Sequence, residues 1–110
     1  MAERLRVALL FGGRSAEHEV SVMSARNVFR ALDPERYETV AIGIDRAGAW
    51  RLCSLEGGAF PAAVPESGPL VAVVPGGAGR LAILSGTEGT ADLSCAVDVV
   101  FPVLHGPFGE

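Results

Sequence analysis

The chain has 110 residues, 49% of them hydrophobic, which is enough for one compact domain with its own core and too few for two. Its formal net charge is -4, and its nine basic residues are all arginine, scattered from Arg4 to Arg80. Nucleic-acid binders concentrate Lys and Arg to displace counterions, so no nucleic-acid partner is expected.

The apolar run Val7 to Phe11 is shorter than the core of a signal peptide and far below the roughly 20 residues of a membrane span, so the expectation is a cytoplasmic protein without a membrane partner. Cys53 and Cys95 lack the spacing of metal ligands and are expected to be reduced.

In chain order, Arg4 to Phe11 reads as a buried strand. From Ala16 to Leu32, the residues Val22, Ala25, Phe29 and Leu32 recur at helical spacing, and Asp33-Pro34 ends the run because proline cannot continue a helix. Tyr37 to Ile44, rich in β-branched and apolar residues, is a second strand. Strand, helix, strand over this length predicts a right-handed β-α-β unit with parallel strands.

Asp45-Arg46-Ala47-Gly48 is a turn, after which Trp50-Arg51-Leu52 returns as a short antiparallel strand. Ten of the 23 residues from Gly57 to Gly79 are Gly or Pro, which predicts loop broken by a strand at Leu70 to Val74. Leu81 to Leu84 pairs with that strand across Pro75-Gly76-Gly77, as a small β excursion beside the main sheet. Asp98 to Leu104 is a last buried strand, running into His105-Gly106-Pro107-Phe108-Gly109-Glu110. The predicted fold class is therefore α/β: a mainly parallel sheet flanked by helices, with a small β excursion.

In parallel α/β sheets, ligands bind beyond the carboxyl ends of the strands. Both Gly12-Gly13-Arg14-Ser15-Ala16-Glu17-His18-Glu19-Val20-Ser21 and the segment from His105 to Glu110 take that position. Two glycines permit a tight turn, and the first amides of the following helix are unpaired, so small polar ligands can be held there. Carboxylates and a histidine gathered at one edge can bind an ammonium group and balance charge around a polar reaction.

Glu17 and Glu19 are two residues apart, about 200° on a helix, so they cannot face the same ligand; one is expected to function and the other to be solvated. Acidic residues at a helix start also favour the macrodipole by roughly 0.3 to 1 kcal/mol, a role either glutamate fills without a ligand. Ser15 is read as the helix cap, His18 as a surface residue and Arg14 as a solvated loop charge. Neither G-x-x-x-x-G-K-[ST] nor G-x-G-x-x-G is completed, so no nucleotide fingerprint is present. A receiver-type domain would want acidic residues directly after the first strand, where this chain has Gly12-Gly13.

Three stretches carry a family resemblance: Val7 to Ser21 (V-A-L-L-F-G-G-R-S-A-E-H-E-V-S), Val22 to Val28 behind it, and Val100 to Glu110 (V-F-P-V-L-H-G-P-F-G-E). They bracket the chain and resemble the N-terminal domain of the D-alanine–D-alanine ligases, bacterial ATP-grasp enzymes. The resemblance implies a Rossmann-like substrate-binding domain over residues 1–110, with the central and C-terminal ATP-grasp domains outside the chain.

It implies a reaction in which ATP and Mg2+ (or Mn2+), bound by those other domains, phosphorylate the carboxylate of one D-alanine. The amine of a second D-alanine then displaces the phosphate, giving the dipeptide for peptidoglycan. On the matching positions, Glu17 holds the ammonium of the first D-alanine, which decides between Glu17 and Glu19. His105 lines the site where the acyl phosphate forms, Glu110 helps organise it, and Ser21, closing the first stretch, is taken as substrate-binding.

The fragment alone is expected to be inactive, and a homodimer is a possible assembly. Two alternatives stay open. One is a D-alanine–D-lactate type ligase with the same N-terminal pattern. The other is a freestanding small-molecule-binding α/β domain.

Overall fold

The computed structural model describes residues 4–14, 16–55, 59–65, 68–84 and 91–104, with the backbone alone for 91–94. The elements are β1 (Leu5–Gly12), α1 (His18–Ala31), β2 (Tyr37–Ile44), β3 (Trp50–Cys53), β4 (Leu70–Val73), β5 (Arg80–Leu84), β6 (Ala91–Ala96) and β7 (Val99–Pro102). All seven strands form one sheet in the order β6-β5-β4-β3-β2-β1-β7.

The α/β class holds, but the expected mainly parallel sheet is parallel only at β2, β1 and β7. Leu5 lies opposite Tyr37 and Leu10 opposite Ile42, while Val7 lies opposite Val99 and Leu10 opposite Pro102. From β2 to β6 every pairing is antiparallel. The reason lies in the connections. A parallel partner needs a crossover of a dozen or more residues, usually a helix, whereas short turns such as that at 45–48 reverse the chain onto its neighbour. The expected small excursion is accordingly a continuation of the main sheet. The expectation of flanking helices is met by α1 alone among the described residues.

The order of the strands dictates the shape of the sheet. β6 and β7 lie at opposite edges, yet only Val97 and Asp98 separate them. Across a flat sheet, six strand spacings would measure about 29 Å. Two linking residues reach roughly 11 Å at most. The sheet must therefore roll until its edges meet, and hydrogen bonds close it there. Val97 N–H donates to the Gly79 carbonyl (2.9 Å) and Asp98 N–H to that of Arg6 (2.8 Å). Arg6 N–H donates to Asp98 Oδ2 (2.8 Å), and its guanidinium to the Ala96 carbonyl (3.2 Å).

Rolling divides the core in two. Ala8, Leu10, Ile42 and Ile44 point inward and pack with Val71, Leu81 and Val97. Their neighbours one residue along point outward, since successive strand side chains alternate faces. On that outer side Phe11, Ala41 and Cys53 meet Val22 and Ala25 of α1, and Val64. The Phe60 ring closes this layer, 4.9 Å from Phe11 and 5.4 Å from Phe29 between centroids. β1 is thus buried on both faces, as its unbroken apolar run requires.

α1 turns His18, Ser21, Val22 and Ala25 to the sheet and ends where Leu32 becomes extended before Asp33-Pro34. Among the described residues, no helix is long and apolar enough to cross a membrane.

The outer layer leaves no room at Gly43. A Cβ there would sit 2.9 Å from both γ-carbons of Val64 and 3.1 Å from Cys53 Sγ. Gly43→Ala should therefore destabilise the chain by about 1–3 kcal/mol through overpacking. Adding Val64→Ala should make the pair less costly than the two separate losses combined. Chemical denaturation of the two single variants and the double variant measures this coupling.

Candidate functional site

The first strand ends in a turn that only glycines fit. Gly12 and Gly13 take φ values of 93° and 100°. A Cβ on Gly12 would collide with the Ile44 carbonyl and lie 2.9 Å from Val64 Cγ2 and 3.1 Å from His18 Cε1. Gly13 N–H donates to the same Ile44 carbonyl at 2.8 Å, so the turn is bound to the end of β2.

Two residues of α1 hold the turn from the other side. His18 is 7% exposed, and its Nδ1 lies 2.7 Å from the Gly13 carbonyl. A carbonyl only accepts, so Nδ1 carries the proton. Ser21 is fully buried. Its hydroxyl accepts from Gly12 N–H at 2.8 Å and donates to the Val103 carbonyl. Val103 N–H in turn donates to the Leu10 carbonyl at 2.7 Å. The chain leaving β7 is thereby fastened beside the glycine turn, two residues before His105.

The sequence-predicted residues divide as follows. Glu17 is exposed at the N-cap position of α1 and makes no side-chain cap hydrogen bond. The helix thus opens at His18 with Glu17 at its cap; Ser15, expected there, lies outside the described residues. Glu19 is exposed in the first turn and ion-paired with Arg46, so its charge is answered across to the turn after β2. Arg14 is exposed, as expected, and its side chain runs close to Gly48.

His18, expected at the surface, is buried. It falls on the inward stripe with Ser21, Val22 and Ala25, one helical turn before Val22, and that spacing was the available signal. Ser21 is placed in the latch, with both its bonds to backbone groups. His105 and Glu110 lie outside the described residues.

Sequence reasoning also passed over Asp45. It is 7% exposed, and its Oδ1 accepts from Ala47 N–H (3.0 Å) and Ala49 N–H (2.9 Å), while Oδ2 faces Arg51 Nε at 3.3 Å. Burial would raise this carboxyl. The bonds from Ala49, Arg51 and Ala47, with the Arg51 charge, outweigh burial and hold it below the ordinary aspartate value.

Asp45, His18, Glu19, Arg26, Arg46 and Val64 border a cavity of about 390 Å³ on the flank of α1. Glu17 is not part of its wall. Cys53 and Cys95 are free thiols, and burial pushes the Cys53 thiol up, away from the reactive thiolate. Among the described residues no group of three or more His, Cys, Asp or Glu is placed to hold a metal ion.

A strand–glycine turn–helix unit tied to the end of a neighbouring parallel strand is the geometry on which relatives can be compared. The family model described as "D-ala D-ala ligase N-terminus" matches residues 6–110. The chain belongs to this family.

The D-alanine–D-alanine ligase of Methylobacterium sp. (strain 4-46) is 62% identical over 109 residues, covering 97% of this chain and 28% of that protein. Among solved structures, the D-alanine-D-alanine ligase from Coxiella burnetii superposes with a TM-score of 0.77 at 33% identity, over 99% of this chain and 31% of its own. The VanG D-Ala:D-Ser ligase from Enterococcus faecalis does so with a TM-score of 0.73 at 30% identity, over 98% and 31%. The chain spans roughly 30% of the length of the curated relatives it matches.

Asp45 gives the site a pH dependence with a definite sign. Its pKa in the folded chain is depressed, so its stabilisation is present above the unfolded aspartate value, about 3.9, and is lost as pH falls through the folded value. Asp45→Asn should lower Tm at pH 6, and the gap to the unsubstituted chain should close as pH falls below about 4. Melting curves of both chains from pH 6 to pH 2.5 check it; a gap that widens in acid would contradict the assignment.

Proposed function

We propose that this chain is the wall of a D-alanine–D-alanine ligase that receives the first D-alanine. The parent protein joins two D-alanines for peptidoglycan in an ATP-dependent reaction through an acyl phosphate. The observation that carries the reading is the latch at Ser21. It fixes the Gly12-Gly13 turn, the start of α1 and the end of β7 as one edge in a chain that belongs to the ligase N-terminal family.

Glu17, at the mouth of the helix, takes the ammonium of the first D-alanine. A carboxylate suits an ammonium there, because a charge-assisted hydrogen bond is stronger than one between neutral groups. His105 lines the place where the substrate carboxylate is activated, and Glu110 helps order it. Ser21 acts from behind as a positioning group, its hydroxyl committed to backbone on both sides.

ATP, with Mg2+ or Mn2+, supplies the phosphoryl group from domains beyond this chain. The residues that choose the second substrate belong to those domains as well. In support, a D-Ala:D-Ser ligase superposes on this chain across nearly its whole length. The same reading puts the protein in the cytoplasm, in keeping with its two free thiols.

In the full-length protein, Glu17→Gln keeps the shape and removes the charge. A lost charge-assisted hydrogen bond of roughly 1.5 to 3 kcal/mol should raise KM for the first D-alanine about ten- to hundredfold. Glu19→Gln, which only breaks an exposed pair with Arg46, should change KM by less than about threefold. Steady-state measurement of ADP release against D-alanine concentration separates them, and equal effects would remove Glu17 from the ammonium site.

A further inference from the structure

His18 does more than fill the core. We propose that it is a positioning residue for the first amino-acid site, through the bond from its Nδ1–H to the Gly13 carbonyl. The proposal rests on the reading that Glu17 holds the substrate ammonium.

The bond joins the helix start to the glycine turn, so Glu17, the N-cap directly before His18, is held where the helix meets the turn. At one side Gly13 is bound to Ile44 and Gly12 to Ser21. At the other, His18 is the first residue of α1 and is buried against Gly12. The Gly13 carbonyl meets the ring inside the buried part of the turn, and without the ring a buried acceptor would lack its partner.

The bond also survives changes of charge. A carbonyl accepts in every state, and both the neutral ring protonated on Nδ1 and the imidazolium present that N–H. Glu19 and Arg26 on α1, with Asp45 and Arg46 from the turn after β2, are the charged groups bordering the same cavity as His18. Whatever they do to the protonation of Nε2, the Nδ1–H bond remains. What the site needs from position 18 is therefore one N–H at the place of Nδ1.

Asparagine supplies an N–H near the place of Nδ1, and glutamine supplies one near that of Nε2. In the full-length protein, His18→Asn should leave KM for the first D-alanine within about threefold. His18→Gln should raise that KM tenfold or more while kcat stays within about threefold, because a lost ground-state contact that persists in the transition state appears in KM. Glu17→Gln combined with His18→Gln should be no worse than Glu17→Gln alone, since both act on one interaction.

Steady-state kinetics, with Tm recorded for each variant, decide the matter. Equal effects of Asn and Gln, or full multiplication of the Glu17 and His18 losses, would overturn the proposal while leaving Glu17 in place. So would a lowered Tm with KM unchanged, or failure of both His18 variants to fold, each of which assigns His18 to stability alone. If Glu17→Gln itself leaves KM unchanged, the Glu17 reading falls and the proposal falls with it.

Discussion

The hydroxyl of Ser21 is the junction on which the rest of the site depends. It accepts from the last amide of β1 and donates to the carbonyl of Val103, in a place that water does not reach. An unsatisfied buried donor or acceptor costs about 1–3 kcal/mol, so one side chain spares the domain that penalty at two backbone groups. Because Ser21 sits on α1, the same bonds set where the helix begins relative to both strands. The glycine turn, Glu17 and the chain at Val103 inherit their placement from it.

The rolled sheet supplies the frame for that junction. With one helix described, an open seven-stranded sheet would leave a face uncovered. Closing it through Val97 and Asp98 puts Val71, Leu81 and Val97 over Ala8, Leu10, Ile42 and Ile44, so the sheet covers its own inner face. The helix is then needed only outside, where its narrow stripe of Ser21, Val22 and Ala25 suffices. The two-residue link also seats β7 alongside β1 in parallel register, which is what carries Val103 to Ser21.

Much of this was legible in the sequence, because the local signals for β1, α1, β2 and the hairpin after Asp45 agree with the packing they enter. The β1-α1-β2 unit follows from an unbroken apolar run, a helical stripe and a proline stop. The roll was not legible: it depends on Val97 and Asp98 spanning two edges and on the bonds between Asp98 and Arg6, residues 92 apart in sequence. His18 was misread because its charged neighbours Arg14 and Glu19 suggested a surface, although its spacing to Val22 put it on the inner stripe. Asp45 was seen only as a turn residue, since its three hydrogen-bond donors gather only when the turn folds.

Glu17 is the residue proposed to receive a substrate ammonium, with Ser21, His18 and the glycines as its support. A crystal structure of the full-length protein with D-alanine bound tests this most directly. The account predicts the ammonium of the first D-alanine at hydrogen-bond distance, about 3 Å, from the Glu17 carboxylate or joined to it through a hydrogen-bond network. An ammonium held by other groups, with Glu17 turned to solvent, would contradict it.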